Sequence, residues 1–185
     1  MTTQPPGLPR RRVLQSAAGL AVAAGAPAAV ASAPVVGKPG DFDFLTGEWK
    51  ISHRRLKAPG EWDVFEGEAT CWSIIGGVGH VEELRIPARD FSGAGLRFLD
   101  LETKVWSDFW VNAKSGALGA AGLTGGFVDG VGVFTTDDKD ADGKPVKYAG
   151  IWDQITGRSH RWRQGVSKDG GATWDYNWLM EWVKV

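Results

Sequence analysis

Phe127-Val128-Asp129-Gly130-Val131-Gly132-Val133 sets an Asp-Gly pair between two short apolar runs. A two-residue hairpin loop needs positive φ at both central positions, which Gly adopts freely and Asp tolerates, and the resulting turn follows the right-handed twist of paired strands. The stretch therefore predicts a tight β-hairpin. The same grammar continues in both directions. Strand-like runs fall at about 49–57, 62–73, 78–87, 93–100, 105–112, 121–128, 131–137, 146–155, 159–167 and 173–184. They are punctuated by Ala58-Pro59-Gly60, Gly76-Gly77, Asp142-Gly143, Thr156-Gly157 and Asp169-Gly170-Gly171. After residue 40 no window longer than ten residues sustains a 3.6-residue period, so long helices are not expected. About ten short strands in sequence order predict an all-β domain. A single closed, antiparallel up-and-down barrel is favoured, because closure removes unpaired edges.

All ten tryptophans lie between Trp49 and Trp182, inside this run of hairpins. Strand alternation sorts them by face. The fifth run groups Trp106, Asp108, Trp110 and Asn112; the eighth groups Tyr148, Gly150, Trp152 and Gln154; the ninth groups His160, Trp162, Gln164 and Val166. The last run groups Trp174, Tyr176, Trp178, Met180 and Trp182. In the middle strands the indole face also carries polar groups. A dry core tolerates Asp108, Gln154 and Gln164 poorly, since an unsatisfied buried polar group costs about 1–3 kcal/mol. A lumen that holds a ligand accommodates the mixture, so two readings stand: a lined pocket, or an aromatic core.

The amino terminus reads as a targeting segment. Arg10-Arg11-Arg12-Val13-Leu14-Gln15 precedes an Ala/Gly/Val/Leu stretch over 16–30, too short and weakly hydrophobic for a membrane span. The arginine pair matches the twin-arginine export signal, with cleavage expected after Ala31. This assigns residues 1–31 to a signal peptide, 32–40 to a flexible lead-in and 41–185 to the barrel. The expected location is outside the cytoplasm, with no stable membrane insertion after cleavage. Removing 31 of 185 residues leaves 154, a single-domain length, with 18 basic against 22 acidic residues. A net charge of −4 without a basic stripe argues against nucleic acid as a partner. The lone Cys71 precludes an internal disulfide.

Several motifs are read as turns. Asp138-Lys139-Asp140-Ala141-Asp142-Gly143 matches half of a calcium loop, but Ala149 stands where the bidentate Glu is needed, so an acidic hairpin tip is expected. Asp169-Gly170-Gly171 closes another hairpin, capped by Asp169. His53, His80 and His160 lack metal-ligand spacing and are expected at the surface or a pocket wall, and no metal site is assigned. Cys71 is expected to be a small buried residue. His80 and Glu82 share a strand face and form the candidate acid–base pair, the carboxylate raising the imidazole pKa. Arg97, among Gly, Leu and Phe, is expected either to pair with Asp108 or to meet a ligand's anionic group. Arg161 and Arg163 fall on the opposite face and are expected to be solvated.

Asp41-Phe42-Asp43-Phe44-Leu45-Thr46-Gly47-Glu48-Trp49 makes a short apolar plug and resembles the Phe-x-Phe-Leu-x-Gly-x-Trp opening of a family of small bacterial β-barrel proteins of largely unknown function. Ser167-Lys168-Asp169-Gly170-Gly171-Ala172-Thr173-Trp174, continuing to Trp182, resembles the same family's last hairpin. The resemblance implies a lipocalin-like or calycin-like barrel with a central cavity. It is more distantly similar to nitrobindin, a heme-binding barrel whose ligand histidine lies near the carboxyl terminus. This chain has no histidine after His160.

The expected function is binding of a small hydrophobic or aromatic molecule by Arg97, Trp106, Asp108, Trp110, Trp152, Gln154, Trp162 and Trp178. The alternative is a lyase, isomerase or cyclase in the same cavity, with His80 and Glu82, or Arg97 and Asp108, moving protons. A structural or interaction module remains if side chains fill the lumen. The residues name no cofactor and no oligomeric state.

Overall fold

The computed structural model describes residues 36–119 and 122–185; the signal peptide read at 1–31 and the start of the lead-in lie outside them. Ten strands follow one another: β1 (Gly47–Ala58), β2 (Glu61–Ile74), β3 (Gly79–Ile86), β4 (Phe91–Leu99), β5 (Trp106–Asn112), β6 (Leu123–Val128), β7 (Val131–Lys139), β8 (Pro145–Asp153), β9 (Ser159–Ser167) and β10 (Asp175–Lys184). Each pairs antiparallel with its sequence neighbours, and β1 also pairs with β10, so the meander closes. The fold is the expected all-β up-and-down barrel.

The opening hairpin forms as its residues require. Asp129 and Gly130 take φ of 50° and 77°, and Val128 pairs with Val131 across them. At the β7–β8 tip, Asp140 accepts hydrogen bonds from the backbone N–H groups of Asp142 and Lys144, making the calcium-like segment an exposed turn. Asp169 accepts from the Thr173 backbone N–H, the Thr173 hydroxyl and the Ser167 hydroxyl. These bonds hold its carboxyl well below the usual carboxylate range.

One end of the barrel is plugged. Phe42 and a 3₁₀ turn at Asp43–Leu45 enter the lumen, and Phe42 and Leu45 are fully buried. The Phe42 ring meets Trp106 and Phe127 edge-on, each at 5.0 Å, and reaches Phe134 at 5.4 Å. Such edge-to-face pairs add about 0.5–1.5 kcal/mol each beyond their area. The described part of the lead-in is tied to this end, the Gly37 and Gly40 N–H groups donating to Lys104 and Gly77 carbonyls.

Two irregularities shape the other end. β5 pairs with β6 only from Trp106 to Asp108, which leaves Phe109 and Trp110 on a rim. On β10 the register shifts between Tyr176 and Trp178. Strict alternation therefore fails there: Tyr176 faces outward beneath the Arg163 guanidinium, 4.3 Å from its ring, while Trp178 faces inward opposite Gln164.

Candidate functional site

Beyond the plug the lumen keeps a cavity of about 350 Å³. Trp110, Trp152, Trp162, Trp178 and Trp182 form much of its wall, with Tyr148, Met180, Leu84 and Leu123 between them. Glu82, Arg97, Asp108, Thr136 and Gln164 are its polar members. Core and pocket thus coexist along one axis, divided by the plug. β4 makes room for the large groups through Gly93 and Gly95. A Cβ there would lie 2.2 Å from Trp110 Cζ2 and 2.9 Å from Arg97 Nη2, so only glycine clears the space.

Charge is concentrated where β3, β4 and β5 run side by side. In register, Glu82 on β3 pairs with Gly95, and Arg97 on β4 pairs with Asp108 on β5. Arg97 Nη2 donates to Glu82 Oε2 at 2.7 Å, and Nε lies 3.3 Å from Asp108 Oδ1. Both partners of the first pair are 4% exposed. The guanidinium also lies 5.2 Å from the ring centroids of both Phe42 and Trp152. Burial alone would lower the Arg97 pKa, but Asp108 and Glu82 outweigh it and hold the side chain cationic. Burial pushes the Asp108 carboxyl up to about 6; Arg97 pulls it down and Glu82 pushes it further up.

His80 does not join this cluster. It shares the inner face of β3 with Glu82, as expected, yet neither ring nitrogen has a hydrogen-bond partner. Glu82 is engaged by Arg97 instead. The expected rise in its pKa is reversed: burial, then the Arg97 charge, lower it to about 3. The other histidines are likewise buried rather than on the surface. His160 packs between Trp49 at 4.5 Å and Trp182 at 4.9 Å, with Phe44 at 5.3 Å, and burial followed by Arg97 lowers its pKa to about 3. His53 stacks on Phe65 at 4.6 Å and accepts from Trp178 Nε1 at 3.2 Å, which orients that wall ring. Burial and then Arg89 lower its pKa to about 4. The residues do not fit a heme. His160 is enclosed by aromatic rings and is not part of the cavity wall, so no axial face is presented. Among the described residues no three His, Cys, Asp or Glu side chains converge as a metal site.

No family model matches the chain, and no curated protein matches it. Among solved structures it is similar to a protein of unknown function from the DUF3598 family of Nostoc punctiforme PCC 73102. That likeness has 13% identity and a TM-score of 0.43, and it covers 84% of this chain and 53% of the other. The chain thus spans about half the length of that protein.

The structure brings Glu82, Arg97, Asp108, Trp110, Trp152, Trp162 and Trp178 to one cavity. Trp106 lies instead at the plugged end, fully buried, with its indole N–H donating to Asp41 Oδ2 at 3.1 Å. Gln154 is not on the wall. β8 ends at Asp153, and Gln154 sits exposed in the following turn with φ of 52°, so the alternation that assigned it has already stopped. Arg161 and Arg163 face outward as expected but are not simply solvated, since both engage Asp153. Trp182, Met180, Tyr148 and Gln164 belong to the wall as well. They stand two or four residues from Trp178, Trp152 or Trp162 on the same strand, the even spacing that marks a shared face. Cys71 is buried, and burial followed by Glu82 pushes its thiol up, leaving it unreactive.

Proposed function

We propose that the protein is an exported, lipocalin-like barrel that holds a hydrophobic or aromatic small molecule in its tryptophan-lined cavity. One observation carries this reading: a cavity of about 350 Å³ walled by five indoles and by few, localised polar groups. Ligand sites have this makeup, an apolar enclosure with a handful of placed polar atoms, in volumes of about 300–1,000 Å³. Export rests on the Arg10-Arg11 signal and the short apolar stretch after it. The test begins with mature protein from a native-type host, analysed by absorbance and native mass spectrometry before any denaturation. A stoichiometric extra mass, or saturable quenching of tryptophan fluorescence by added aromatic probes, is expected. A clean apo mass with no probe quenching the indoles up to its solubility limit would overturn the reading.

Asp108 favours a second reading, an isomerase, lyase or cyclase in the same cavity. A carboxyl poised near pH 6 on a pocket wall, beside a fixed guanidinium, is suited to proton transfer at neutral pH. It replaces His80 as the acid–base candidate. In this reading Asp108→Asn abolishes turnover while leaving ligand affinity within a few-fold; unchanged turnover would remove Asp108 from the chemistry.

A further inference from the structure

The binding reading can be taken one step further, to the charge of the ligand. Among the described residues the cavity wall holds three charged side chains, Glu82, Arg97 and Asp108, which sets two carboxylates against one guanidinium. Glu82 claims that guanidinium through the 2.7 Å bond from Nη2 and offsets its charge. Asp108 is left short of partners. Arg97 Nε stands 3.3 Å from its Oδ1 without making a hydrogen bond. Burial pushes the Asp108 carboxyl up to about 6 against the pull of that neighbouring cation. The carboxyl-bearing side chain is also within reach of a ligand. It shares the inner face of β5 with Trp106 and Trp110 and keeps 16% exposure, which on that face is exposure to the cavity. Two residues further along, Trp110 lines the cavity and is 42% exposed, so the cavity meets solvent beside it. The rest of the wall suits the same charge. Trp110, Trp162 and Trp178 bound the volume, and indole attracts a cation more strongly than the other aromatic rings do, most of all where water is excluded. We infer that the ligand is an organic cation, an ammonium group on an apolar or aromatic body, paired with Asp108 and packed among the indoles. An anion would bring a third negative group beside Glu82 and Asp108, and a neutral ligand would enclose Asp108 without a counter-charge.

This inference rests on the binding reading, and the experiment separates the two. Three probes sharing one ring system are titrated into the mature protein by tryptophan fluorescence and calorimetry: naphthylmethyl-trimethylammonium, its uncharged carbon isostere neopentylnaphthalene, and naphthylacetate. The first two have one shape and differ in charge. The ammonium is expected to bind about tenfold tighter than the isostere, with naphthylacetate the weakest. An isostere that binds as tightly as the ammonium would leave the pocket intact and overturn the cation site. Naphthylacetate binding tightest would overturn it in favour of an anion site. Binding of none of the three would overturn the cavity reading itself. Asp108→Asn keeps the side chain's shape and removes its charge, while Arg97 retains Glu82. It is expected to cut ammonium affinity about tenfold and to leave the isostere within about twofold. An equal loss for both probes would trace the effect to packing and overturn Asp108 as the ion partner. If the variant fails to fold, the probe series on the unaltered protein decides.

Discussion

Acidification from pH 6 to 5 is expected to destabilise the barrel steeply, and the cause is three neutral imidazoles sealed in its interior. His53, His80 and His160 are fully buried, with pKa values lowered from 6.5 to about 4, 3 and 3. The unfolded chain takes up a proton on each near pH 6.5, whereas the folded chain does not, so their stabilising contribution is present above that pH and lost as pH falls toward 4. Asp108 works the other way. Its folded pKa of about 6 exceeds the ordinary aspartate value of 3.8, so between those values the folded state holds a proton that the unfolded state has released. Three protons favouring unfolding against one favouring folding leave about two. At about 1.36 kcal/mol per proton and pH unit, stability should fall by about 3 kcal/mol between pH 6 and 5. That is a large part of the 5–15 kcal/mol typical of a domain. Urea unfolding followed by tryptophan fluorescence at several pH values reads the slope directly. An uptake of less than one proton across this window would mean that the histidines reach solvent, and would refute the argument. His160→Phe should remove about one proton from the slope if it packs among the same rings.

Three further outcomes follow from single contacts. Arg97→Met strands Glu82 as a buried unpaired carboxylate and should cost about 3–5 kcal/mol, or a melting temperature lower by roughly 10 °C, read by circular dichroism. Adding Glu82→Gln should recover part of that loss, and no recovery would show that packing rather than charge dominates. Asp169→Ala removes three hydrogen bonds at the last hairpin and should lower the denaturant midpoint; an unchanged midpoint would show that the cap adds nothing to stability. Gly130→Val forces a β-branched residue to φ of 77° and should cost about 1–2 kcal/mol, while Asp129→Asn stays near neutral in the same assay.

What could be read along the chain is what depends on near neighbours. Asp129-Gly130 demands its turn by the φ values those two residues accept, and alternation within a strand places Trp162 beside Gln164 and Trp106 beside Asp108 on one face. Ten strands in order follow from such punctuation, and closure follows from the cost of open edges. Local rules also mark where they stop working. A single register shift on β10 turned Tyr176 outward, and the end of β8 removed Gln154 from the wall. Neither leaves a trace in hydrophobic period, because a bulge changes pairing with the partner strand rather than composition.

Only the closed barrel decided which inward residues meet. Glu82 and His80 are two residues apart, yet Glu82 bonds across the sheet to Arg97, fifteen positions away, and His80 is left neutral beside Phe42. Trp106 and Trp110 share a strand face, but the plug claims the first for the core and leaves the second on the cavity rim. Depth along the barrel axis separates these pairs. It is set by where Phe42 and Leu45 enter the lumen, a long-range packing event that spacing along a strand does not encode.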